Sequence, residues 1–168
     1  MSETEYERLE EEIEQEMMEV DESDPLVKAF GKDYAIEYYR KVGKLQAKFI
    51  PLPKELVEEI KQYVHLHKDE LLENKGHIVY NNYDVVLAVT PNNENSLKRV
   101  MLEKTGTLMV SMLSSVSATG WLSCMFNDPH MADDLELNTA YIIIGKLRER
   151  EVDGILRHSM TVRGIIKA

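Results

Sequence analysis

Residues 120–151 read GWLSCMFNDPHMADDLELNTAYIIIGKLRERE. Up to Phe126 the residues alternate: Leu122, Cys124 and Phe126 are uniformly apolar, while Trp121, Ser123 and Met125 are mixed. A period of two is a strand with one buried face, so the mixed set, including the single tryptophan, is expected to face outward. Asn127-Asp128-Pro129 stops this strand, and Met131–Leu137 are expected to form one short helix. From Ala140 the chain is apolar and β-branched, then charged. Tyr141, Ile143, Gly145 and Leu147 alternate with Ile142, Ile144, Lys146 and Arg148, which predicts a strand over Ala140–Glu149 with the first set inward.

Outward from this stretch the texture stays β-like. Asp153-Gly154 marks a hairpin turn, and Leu156–Lys167 follows as a strand with Met160, Val162, Gly164 and Ile166 inward and Thr161 and Arg163 outward. Upstream, strands are expected at His77–Thr90 and Val100–Ser114, separated by Pro91-Asn92-Asn93 and ended by Ala118-Thr119-Gly120. The expected fold class is α+β: N-terminal helices followed by a five-stranded antiparallel barrel over residues 77–168, with a helical plug between the third and fourth strands. That is the order of an OB-fold.

The same stretch resembles the replication protein A, single-stranded DNA-binding type of OB-fold. There a short strand near the barrel mouth leads through a short helix and a Leu-x-x-Gly turn to an apolar strand. That strand carries a Gly before a charged hairpin. Leu137, Gly145 and the run Lys146-Leu147-Arg148-Glu149-Arg150-Glu151 stand in those places, and HSMTVRGIIKA resembles the closing strand. Two positions depart from the pattern. Ser117-Ala118-Thr119-Gly120 lacks the Asp of the turn before the third strand, and Asn138 stands for a Gly, a residue that also tolerates positive φ. The resemblance implies single-stranded DNA binding in replication, recombination or repair.

Residues 25–76 are helical by pattern. One helix is expected over 26–49, with Ala29, Phe30, Tyr34, Ile36, Tyr38, Val42, Leu45 and Phe49 as its apolar side and Lys28, Lys32, Arg40, Lys41, Lys44 and Lys48 as bases. Pro51-Leu52-Pro53 stops and restarts the chain. A further helix runs from Lys54 to Glu73, with Leu56, Ile60, Val64, Leu71 and Leu72 inward, and Asn74-Lys75-Gly76 ends it. Residues 1–24 form an acidic arm in which Tyr6, Leu9, Ile13, Met17 and Val20 recur at helical spacing. It is either a solvated arm or an amphipathic helix that docks on a basic groove or a partner.

The net charge of −10 over 168 residues belongs to that arm. Residues 1–24 hold twelve acids against Arg8, net −11; the remainder holds 18 acids and 19 bases, net +1. A neutral body can still carry a basic face. One cysteine, Cys124, excludes an intrachain disulfide and a cysteine zinc site and fits a reducing cytoplasm. No window approaches the ~18 apolar residues of a membrane span, so no membrane partner is expected.

An enzyme is not expected. There is no phosphate-cradling glycine loop, no H-E-x-x-H and no G-x-S-x-G. His65 and Asp69 share a helix face, but two ligands are too few for a metal, and neither metal nor cofactor is expected. Cys124 falls in an inward set and Asp133 and Asp134 suit a helix N-terminus.

The candidate nucleic-acid contacts are Trp121, a base-stacking ring if it faces out; Lys98, Arg99 and Lys104 after the polar loop Pro91–Leu97; and Lys146, Arg148, Arg150, Arg157 and Arg163 on the last hairpin. Lys146, Arg148 and Arg150 share one parity and Glu149, Glu151 and Asp153 the other, which favours a basic face over a lattice of cross-strand ion pairs. Asn92, Asn93 and Asn95 can bond base edges or serve the turn alone. Three functions remain: a single-stranded nucleic-acid binder, DNA first, acting alone or as an accessory subunit; an adaptor for a protein partner held through the arm or the helices; and, more distantly, an enzyme or RNA-processing factor in which the OB-fold is only an adaptor. Oligomerisation is open.

Overall fold

The computed structural model describes residues 24–42, 51–102 and 106–168. The arm stripe Tyr6, Leu9, Ile13, Met17 and Val20, and Lys104, lie outside them. Two compact units divide the chain: Met1–Ile50 with Leu102–Thr105, and Pro51–Met101 with Gly106–Ala168.

In the first unit the expected single helix is two, α1 (Pro25–Phe30) and α2 (Lys32–Val42). Asp24 Oδ1 accepts the Leu26 N–H at 2.8 Å as the cap of α1, and Gly31, at φ 94°, breaks the axis. That break decides which residues face inward. Ala35 is fully buried, while Phe30, Tyr34 and Tyr38, expected on the apolar side, are exposed, with the Phe30 and Tyr34 rings 4.8 Å apart.

The second unit starts with α3 (Lys54–Leu66) and α4 (Lys68–Glu73). The helix expected to run unbroken to Glu73 is interrupted at His67, whose φ of −119° lies outside helical range. The interruption turns Leu71 inward and leaves Leu72, expected inside, exposed.

Among the described residues seven strands follow, two more than expected: β1 (His77–Tyr80), β2 (Tyr83–Val89), β3 (Val100–Leu102), β4 (Thr107–Leu113), β5 (Trp121–Phe126), β6 (Ala140–Val152) and β7 (Ile155–Lys167). The first predicted strand is a hairpin because Asn81 and Asn82 both take positive φ, the backbone of a tight two-residue turn. The second is two neighbouring strands, β3 and β4, with Gly106 at φ 71° just before β4. Nor is the sheet purely antiparallel, since β5 and β7 run parallel. The loop between β2 and β3 holds a short helix, α5 (Glu94–Leu97), and the expected plug helix is a single 3₁₀ turn over Pro129–Ala132.

Pairing runs β2–β6–β7–β5–β4 and returns to β2 through Val89 opposite Leu113. Five strands therefore form a ring, with β1 and β3 outside it. Side chains of one parity fill the ring: Val86, Val110, Met112, Leu122, Cys124, Phe126, Tyr141, Ile143, Met160 and Val162, all buried. Burial pushes the Cys124 thiol up, so it stays protonated and inert. A second cluster lies outside the ring, where Val57, Ile60 and Val64 of α3 cover Val85, Ile142 and Ile144. The run Tyr141–Ile144 is apolar at every position because that part of β6 is covered on both faces.

At Gly145 the β6–β7 register shifts by one residue: Ile144 faces Gly164, but Gly145 faces Val162, which leaves Arg163 as the extra residue of a bulge. The bulge reverses the parity of β7, so Ile165 packs into the ring and Ile166, expected inside it, joins the cluster under α3. A Cβ on residue 145 would lie 1.8 Å from the Thr161 carbonyl oxygen, which is backbone and cannot yield. Gly145→Ala is therefore expected to lower stability by roughly 3 kcal/mol or more, measured by denaturant unfolding; a loss under about 1 kcal/mol would refute this close approach.

Candidate functional site

β6 and β7 are each 13 residues long and outrun their neighbours. β2 follows β6 only as far as Gly145, and β5 meets β7 only from His158. Lys146 to Glu149 thus pair on the β7 side alone, and Arg150 to Arg157 extend further as a two-stranded ribbon, closed by a turn in which Asp153 and Gly154 both take positive φ.

Register fixes the faces. Lys146 lies opposite Thr161, Arg148 opposite Ser159, and Arg150 opposite Arg157. On the other side of β7, Met125 is level with Thr161 and Ser123 with Ser159. Continuing that register one residue beyond its last pair, Leu122 with His158, sets Trp121 level with Arg157. On β4, Met109, Ser111 and Leu113 face Met125, Ser123 and Trp121. Opposed residues share a face. The outer surface of β4, β5, β7 and β6 therefore carries three ranks: Leu113–Trp121–Arg157–Arg150, Ser111–Ser123–Ser159–Arg148, and Met109–Met125–Thr161–Lys146.

Trp121 is 40% exposed and Leu113 38%, the three serines are half-buried, and Lys146 is exposed. Met125, expected outside, is on the outer face but buried, with Met109 buried beside it. The acids take the opposite parity. Glu149 faces His158, whose Nε2 donates to Glu149 Oε1 at 3.2 Å, and Glu151 faces Leu156. By register the partly exposed indole shares a face with three half-buried arginines, while Glu149 and Glu151 of the same hairpin take the other parity, a combination that can hold a planar ring and an anion together.

Of the sequence candidates, Trp121, Lys146, Arg148, Arg150 and Arg157 come together here. Arg163, displaced by the bulge, lies elsewhere, with its guanidinium carbon 5.5 Å from the centre of the Tyr83 ring. Arg99 donates from Nε to Glu94 Oε1 at 2.6 Å and from an Nη to the Ala132 carbonyl at 3.1 Å, which ties α5 to the 3₁₀ turn. Lys98 is exposed at the end of α5. Asn93 accepts the Ser96 N–H and so caps α5. Leu113, Ser111 and Ser159 were missed by sequence reasoning. Their signal was the pairing partner of each residue in Trp121–Phe126, which alternation within one strand does not give.

His130 donates to Asp133 Oδ2 at 3.0 Å, and that carboxylate raises the imidazole pKa. Among the described residues no group of three or more His, Cys, Asp or Glu is placed to hold a metal ion, and no helix is long and apolar enough to cross a membrane.

Like charges directly opposite on one face repel. Arg157→Glu places a carboxylate across from Arg150 and is expected to raise stability by about 0.5 kcal/mol in denaturant unfolding at low salt, with the gain lost in high salt; a salt-independent loss would contradict this register.

No family model and no curated protein match the chain. Among solved structures it is similar to the crystal structure of a single-stranded DNA binding protein from the lactococcal phage p2. The two are 16% identical, the TM-score is 0.32, and the match covers 50% of this chain and 93% of that one.

Proposed function

We propose that the ring of residues 77–168 is an OB-fold barrel and that its outer face binds single-stranded nucleic acid, DNA first, without catalysis. What supports this is the register, which, carried one step past Leu122–His158, sets the partly exposed Trp121, opposite Leu113, level with Arg157, itself opposite Arg150. Bases stack on Trp121 and Leu113 while Lys146, Arg148, Arg150 and Arg157 neutralise phosphates. Such a protein serves replication, recombination or repair, alone or beside a larger binder.

Titrating an oligothymidylate at low salt should quench Trp121 fluorescence. Four cations on phosphates give a slope of about −3 in log K against log salt, and Trp121→Ala should weaken binding by ~1–3 kcal/mol, about 5- to 150-fold. An unresponsive indole together with no binding in gel shift would sink the proposal.

Residues 1–23, rich in carboxylates, act in this scheme as a polyanion that competes for the basic ranks. Their removal, which spares the Asp24 cap, should raise affinity several-fold at low salt and hardly at all at high salt, where screening already weakens the competitor. Equal or lower affinity at low salt would dismiss that role.

A second reading is an adaptor for a protein partner. The exposed Phe30, Tyr34 and Tyr38 of α1 and α2 favour it, as does a body of net charge +1 outside the arm. It gains if Trp121 stays silent to oligonucleotides while Phe30→Ser with Tyr34→Ser releases a co-purifying protein.

A further inference from the structure

Ring and ribbon must hold a fixed angle if the indole on β5 and the cations on β6 are to grip one strand together. Beyond Gly145 the described strands give β6 a neighbour on its β7 side alone, and β7 loses β5 in turn before His158, so the ribbon is less firmly held than the ring. The first ribbon amide past the Lys146 position, Leu147 N–H, would pair with β2 if β2 continued. It does not, because the chain turns at Asn81–Asn82 immediately before Tyr83.

The side chain of Asp84 takes over that pairing. Asp84 stands opposite Gly145 at the last shared position of β2 and β6. Its Oδ2 accepts the Leu147 N–H at 2.8 Å, and its Oδ1 accepts from His77 Nε2 of β1, also at 2.8 Å. The carboxylate is therefore pinned from β1 while it holds the root of the ribbon. Both bonds are to a charged acceptor, the stronger class of hydrogen bond.

We infer that Asp84 is a positioning residue for the nucleic-acid face: it touches no strand itself but sets the ribbon, and with it Lys146, Arg148 and Arg150, at the angle that lets them act with Trp121. This rests on the proposed binding function. A negative charge one residue from Lys146 in space is otherwise unfavourable to a polyanion, so simple electrostatics and positioning predict opposite signs. Removal of the charge alone tightens binding; loss of the anchor weakens it, because the ribbon must then be ordered at the moment of binding.

The experiment compares Asp84→Ala and Asp84→Asn in the full chain, with oligothymidylate as probe. Asparagine keeps an acceptor for Leu147 N–H and turns its amide to an unprotonated His77 Nε2; alanine keeps neither. Asp84→Ala is expected to bind five- to tenfold more weakly than the unmodified protein, with a shallower salt slope as ribbon phosphates are lost and faster hydrogen exchange at Leu147 N–H. Asp84→Asn should stay within about threefold and keep the slope. If Asp84→Ala fails to fold, His77→Ala replaces it, leaving the carboxylate unpinned, and should weaken binding two- to fivefold. Tighter or unchanged binding in the alanine variant that folds, or equal losses in alanine and asparagine, would overturn the inference while Trp121→Ala still reports the binding function. If the unmodified protein does not bind the probe, both fall.

Discussion

The backbones of β6 and β7 approach so closely at residue 145 that the position admits no side chain. Before this point β6 is covered on both faces, by the filled ring and by α3; after it, β6 leaves β2 and its residues are exposed or half-buried as far as the buried Val152. The same approach expels Arg163 as an extra residue and reverses the parity of β7. Closure of the ring, departure of the ribbon and the removal of one arginine from the basic face all follow from that contact. It also explains why a strand so uniformly apolar becomes charged within two residues of Ile144.

The outer face reconciles two demands. Its inner parity must build a core, and β4, β5 and β7 do so with Met112, Leu122, Cys124 and Met160. Its outer parity changes in character along the strands: methionines and Thr161 that are buried, serines that are half-buried, and an indole and a leucine that are partly open to solvent. Exposing an indole forgoes burial worth ~2–3 kcal/mol, a loss that a ligand can offset.

Much of this was legible from local pattern. Alternation over Leu122–Phe126 and Tyr141–Arg148 assigned the inward sets correctly, and parity separated Lys146, Arg148 and Arg150 from Glu149 and Glu151. The Asp153-Gly154 turn and the positive φ of Asn138 were also readable, because each depends on one or two residues. What failed depended on partners or on single breaks in a longer run. Asn81-Asn82 was read through as strand, Gly31 and His67 as helix. Arg163 and Ile166 were placed by a parity that the bulge at Gly145 inverts, and a bulge is a relation between two strands that neither announces. Arg99 looked like a surface cation, yet its partners, Glu94 and the Ala132 carbonyl, lie in separate loops. The angle of the ribbon depends on Asp84, which in sequence is one more acid in a strand.

The sheet begins at β1 and ends at β3, strands of four and three residues. An unpaired sheet margin is a template on which another polypeptide can crystallise its own backbone, and long margins invite fibrils. Here each margin offers too few amides for a foreign strand to gain purchase, and the long strands β6 and β7 are neighbours of each other rather than of solvent over their ring segments. At these two borders the shortness of the strand alone thereby limits growth of the sheet by a foreign chain.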